Sequence, residues 1–108
     1  PQIVSLISDK LKQLGHSVTN PVDSYVALEL VESVNFSLII LDDQMPLMSV
    51  EGFMESLAET RVSAPVVLLS GAPEPIEETT SLGVANTIRK PFQLDLLIVS
   101  AEALLDGN

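Results

Sequence analysis

Apolar residues recur along this chain with two periods that alternate from one end to the other. Ile3, Leu6, Ile7, Leu11 and Leu14 fall three and four apart, with Ser5, Ser8, Asp9, Lys12 and Gln13 between them. That spacing predicts an amphipathic helix over residues 2–14, stopped by Gly15. Residues 16–19 predict a short strand. Asp23 or Ser24 can cap a helix running to residue 33, whose buried stripe includes Val26, Ala27, Leu30 and Val31. A strand over 37–42, a helix over 50–60 and a strand over 65–70 follow. Pro73 and Pro75 open a short acidic helix near 74–82, with Glu74, Glu77 and Glu78 at the positive end of its dipole. Gly83 closes it, residues 84–89 form the last strand, and Leu94, Leu97, Ile98, Ala101 and Leu104 mark a final helix over 93–105. Helix and strand alternate throughout, which implies an α/β fold with a parallel sheet and helices on both faces. No internal repeat, low-complexity tract or linker interrupts the pattern, so residues 1–108 read as a single domain.

Composition narrows the class. The 108 residues suffice for one hydrophobic core. Hydrophobic residues make up 46% but aromatics only 4%, with no Trp, so that core must be aliphatic. Fifteen acidic residues against five basic ones give a net charge of −10, which argues against direct binding to nucleic acid or to an anionic membrane surface. The absence of Cys excludes disulfides and thiolate metal sites and allows a cytoplasmic location. No apolar run reaches membrane-spanning length and no signal peptide is visible. The first residue is Pro rather than Met, which is expected of a processed chain or a fragment.

The candidate chemistry sits where three segments that read as strands stop. Leu38-Ile39-Ile40-Leu41 ends in Asp42, followed by Asp43-Gln44-Met45-Pro46; Val66-Val67-Leu68-Leu69 ends in Ser70-Gly71; Ala85-Asn86-Thr87-Ile88-Arg89 ends in Lys90-Pro91-Phe92. Open α/β sheets bind and react with ligands at the carboxyl edge of their strands. An acid, a hydroxyl and an ammonium delivered there suit phosphoryl handling. Each residue has a plainer reading: Asp42 as a solvated strand-end acid, Ser70 as a turn residue, Lys90 as a surface lysine before a turn proline. Their company weighs against those readings. Asp43 reads as a solvated neighbour, His16 as a surface residue at the negative end of the first helix, and Met45 and Met48 as packing or loop residues.

These residues resemble the receiver domain of two-component response regulators. Leu41-Asp42-x-x-Met45-Pro46, Ser70-Gly71, and Gly83-Val84-Ala85 leading into Lys90-Pro91-Phe92 carry the resemblance, with weaker matches at Gly15-His16-Ser17-Val18 and Ala27-Leu28. The resemblance covers essentially the whole chain and implies a flavodoxin-like (CheY-like), doubly wound parallel sheet. It implies that Asp42 accepts a phosphoryl group from a histidine kinase or phosphotransfer protein and that the domain then switches conformation. It assigns Lys90 as the fixed cation after a cis Lys90-Pro91 bond and Ser70 as the hydroxyl donor. Mg²⁺ would be held by Asp42 and the main-chain carbonyl of Gln44, whose side chain tunes dephosphorylation.

Three departures accompany it. Family members begin with a strand ending in two acids that bind Mg²⁺, and here a helix begins at the first residue. The first strand is therefore expected to be missing and the domain N-terminally truncated, with weak or absent Mg²⁺ binding. Reading residues 2–8 as that strand, with Asp9 as its acid, leaves too few residues before Gly15 for a crossover helix. The missing strand would come from another chain by strand exchange, or from a rearranged pairing. Thr87 stands at the switch position where an aromatic is usual. The stretch from Ser70 to Lys90 is short for the family's helix there, which puts homodimerisation through that face in doubt. The alternative function is a degenerate pseudo-receiver that binds protein partners without phosphorylation. An enzyme of the haloacid-dehalogenase type is disfavoured, because it needs a second acid where Gln44 stands.

Overall fold

A computed structural model describes residues 2–44, 47–71 and 83–106. Among the described residues seven elements follow one another: α1 (Gln2–Gln13), α2 (Ser24–Ser33), β1 (Ile39–Asp42), α3 (Val50–Ala58), β2 (Val66–Ser70), β3 (Asn86–Arg89) and α4 (Leu94–Asp106). The helix expected near 74–82 falls outside the described residues. The strands form a parallel sheet in the order β1-β2-β3, with Leu41 opposite Leu68 and Leu69 opposite Ile88. Every residue of β2 is buried, as its unbroken apolar run requires of a central strand covered on both faces.

Alternate residues of the strands feed two half-cores. On one face Val67, Leu69 and Ile88 pack with Ile7 and Leu11 of α1 and Leu97, Ile98 and Ala101 of α4. On the other, Leu41, Val66 and Leu68 pack with Val31 of α2 and with Phe53, Met54 and Leu57 of α3. Met48 packs against this second half-core. Local signals set the boundaries. The Asp23 carboxylate accepts the Val26 N–H at 2.9 Å to cap α2, and Ser49 Oγ accepts the Gly52 N–H at 3.0 Å to cap α3. Gly15 and Gly83 take φ of +96° and +95°, a region that L side chains avoid. No helix among the described residues is long and apolar enough to cross a membrane.

The expected strand over 16–19 does not form. A strand exists only through a neighbour that accepts its ladder hydrogen bonds, and among the described residues none lies beside these. Between them and β1 runs a groove of about 460 Å³, lined on its apolar side by Val4, Ile7, Leu11, Val18, Leu38 and Ile40. Among the described residues β1 is thus an edge strand. Its ladder is one-sided: the Ile39 N–H donates to Pro65 C=O and the Asp43 N–H to Leu69 C=O, each at 3.0 Å. By the two-residue alternation, the N–H groups of Ile40 and Asp42 face the groove. His16, expected as a surface residue at the end of α1, stands at that end but is half-buried, and its Nε2 pairs with the Glu102 carboxylate on α4.

Candidate functional site

Parallel strands bring their carboxyl ends to one edge, and the ladder carries the chain slightly past each end. The Asp43 N–H donates to Leu69 C=O and the Lys90 N–H to Ser70 C=O at 2.8 Å. These two bonds fix the backbone of an acid and a lysine on either side of Ser70. The Lys90–Pro91 peptide bond is cis.

Lys90 Nζ lies 2.6 Å from Asp42 Oδ1 and 3.1 Å from Asp43 Oδ1. Asp42 Oδ1 also accepts the Gln44 N–H at 2.9 Å. The second oxygen of Asp43 accepts the Gly71 N–H at 2.9 Å, with Ser70 Oγ at 3.5 Å. The side chains of Lys90 and Asp42 are each 24% exposed and that of Asp43 is 13% exposed, so all three are reachable yet largely held by protein. Burial works to raise the Asp43 pKa, but the Gly71 N–H and the Lys90 ammonium outweigh it and hold the carboxyl below its ordinary 3.8. Burial likewise works to lower that of Lys90, and its hydrogen bonds to Asp42 and Asp43 push it above 10.5.

Asp42, Ser70 and Lys90, named from the sequence, thus stand together at the strand ends. Gln44 joins them through its backbone. Thr87 lies opposite Leu68, two residues short of the pair Ser70–Arg89 at the edge. Met45 and Pro46 lie outside the described residues. Asp43 is not the solvated neighbour that the sequence suggested. Its partners Gly71 and Lys90 lie at the ends of β2 and β3, far along the chain, and only the parallel sheet brings them to it.

Magnesium favours near-octahedral oxygen ligands, commonly one or two carboxylates with phosphate and water. Here Lys90 and an N–H already occupy the same Asp42 oxygen, and the described residues contain no cluster of three His, Cys, Asp or Glu able to hold a metal. The residues present do not by themselves fit a tightly held ion.

The chain is 28% identical over 108 residues to the transcriptional regulatory protein TcrA of Mycobacterium tuberculosis, covering 96% of this chain and 42% of TcrA. It therefore spans less than half the length of that relative. It is also 28% identical over 104 residues to a chemotaxis protein CheY of Rhizobium etli, covering 92% of this chain and 81% of that protein. The receiver domain of the Francisella response regulator 1452 superposes with a TM-score of 0.89 at 26% identity, over 97% of this chain and 88% of that one. The response regulator receiver domain matches residues 1–102 as a family. With this match and a CheY-like α/β fold, the chain belongs to the receiver domains of two-component response regulators.

Proposed function

We propose that this domain is a phosphorelay receiver in which Asp42 takes a phosphoryl group from phosphohistidine on a histidine kinase or phosphotransfer protein. The observation that carries this is the 2.6 Å contact between Lys90 Nζ and Asp42 Oδ1, with Ser70 and Gly71 gathered at the same edge. With Oδ1 engaged by Lys90 and the Gln44 N–H, Oδ2 is the nucleophile. It bonds to phosphorus as the P–N bond to imidazole breaks. The electron pair stays on the ring nitrogen, which takes up a proton. Lys90 and the strand-end donors stabilise the charge spread over the transferring oxygens. Acetyl phosphate with Mg²⁺, followed by intact mass, tests this. One phosphoryl gain on the native chain, lost in Asp42→Asn, is expected. No gain, or an undiminished gain in Asp42→Asn, would sink the reading.

The second reading, a phosphorylation-independent interaction module, is favoured by the thin set of metal ligands and by Thr87 at the switch position. The outcome of the same assay separates the two.

The groove beside β1 is read here as the seat of a further parallel strand, either from a longer form of the polypeptide or exchanged from a second copy. By resemblance its carboxyl end would bring two acids beside Asp42 and complete a Mg²⁺ site. Hydrogen exchange of the longest available form tests the seat. The Ile40 amide should be protected there and exposed in the 108-residue chain; equal exchange in both refutes it. The mass in solution then tells a covalent strand from an exchanged one.

A further inference from the structure

The donors best suited to a transferred phosphoryl group are already satisfied by another anion. Gly71 N–H and Ser70 Oγ come from the end of β2, Lys90 Nζ from the end of β3, and all three meet on the Asp43 carboxylate. One carboxylate oxygen takes the Gly71 N–H at 2.9 Å and the Ser70 hydroxyl at 3.5 Å; the other takes the ammonium at 3.1 Å. A phosphoryl group in transfer spreads negative charge over three oxygens and needs donors converging from several directions. The donors here converge in that way on two oxygens of the residue next to the nucleophile. Strand alternation lets Asp42 and Asp43 serve as nucleophile and occupant at once.

We propose that Asp43 is a built-in anion that occupies the phosphoryl-binding donors of this site, so that phosphorylation of Asp42 requires its displacement. The inference rests on the reading of Asp42 as phosphoacceptor. It makes Asp43 a positioning residue that governs how readily the site loads, and one that holds the ends of β2 and β3 together before any phosphoryl group arrives. A purely structural Asp43 would have a different consequence, because its removal would loosen the fold without opening a place for an anion.

Two measurements test it. First, the rate of mass gain with acetyl phosphate and Mg²⁺ is compared in the native chain, Asp43→Ala and Asp43→Asn, with folding checked by circular dichroism. Freeing donors engaged in charge-assisted hydrogen bonds should raise the rate about tenfold in Asp43→Ala. A rate equal to or below that of the native chain overturns the proposal. Second, the Gly71 amide resonance is followed while inorganic phosphate is added to Asp42→Asn and to Asp42→Asn/Asp43→Ala. The double variant should shift saturably and the single variant should not. Equal responses, or none in either, overturn the proposal. If no form gains mass, the phosphoacceptor reading fails and the amide titration alone decides whether Asp43 fills an anion site.

Discussion

Replacing Lys90 by Met removes a cation that both strand-end carboxylates share while keeping most of the aliphatic stem. At 2.6 Å a pair of unit charges interacts by about 1.6 kcal/mol in bulk water and about 6 kcal/mol at an effective dielectric of 20. Side chains 13–24% exposed sit between those limits, and desolvation of the ammonium offsets part of the gain. Two charge-assisted hydrogen bonds are lost and two carboxylates are left facing each other, so a net destabilisation of about 2–3 kcal/mol is expected. With a urea m-value of about 1–1.5 kcal/mol/M for a domain of this size, the midpoint falls by roughly 2 M. The assay is urea unfolding followed by far-ultraviolet circular dichroism, for the native chain and Lys90→Met across pH.

The sign of the pH dependence is fixed. Asp43 has a lowered folded pKa, so its contribution is present above its unfolded value and is lost as pH falls below about 4 and through the folded value. Lys90 has a raised folded pKa, so its contribution is full below its unfolded value near 10.5 and is lost as pH rises through the folded one. The gap between the two proteins should therefore be widest between these limits and close at either end. A midpoint change under about 0.5 M, or one constant across pH, would refute the shared-cation account.

Two further outcomes follow from the packing. Phe53 is 1% exposed at the centre of the second half-core, and Phe53→Ala should cost about 3–5 kcal/mol in the same assay; a loss under about 1 kcal/mol would show that α3 does not pack there in solution. Leu47 takes φ of +75° and is 70% exposed, so Leu47→Asn sheds left-handed strain at little cost in burial and should raise the unfolding free energy by up to about 1 kcal/mol; unchanged or lower stability contradicts that backbone conformation.

The fold was legible in the sequence wherever the deciding interactions are local. Asp23 caps the residue three positions on, Gly15 halts α1 by its own backbone freedom, and the run 66–69 is apolar because β2 is covered on both faces. Residues 16–19 misled because β-branched Val18 and Thr19 suit a strand, while a strand also needs a partner that only tertiary structure supplies. The site divides in the same way. Asp42 and Ser70 each close an apolar run and Lys90 follows a segment read as a strand, which the order of residues reveals. Asp43 was missed because its partners, Gly71 and Lys90, lie 28 and 47 residues away and no local pattern links them. His16 was missed for the same reason, since Glu102 lies 86 residues along the chain.

The partition of the core by the sheet has a consequence for how this protein comes apart. Ile40 packs on the side of α1 and α4, and Leu41 on the side of α2 and α3. Domains open in cooperative subunits of unequal stability. A partial opening that frees α1 and α4 would uncover Val67, Leu69 and Ile88 and leave Leu41, Val66 and Leu68 covered, and an opening of α2 and α3 would do the reverse. Faster amide exchange in α1 or in α3 then tells which half of the core has opened.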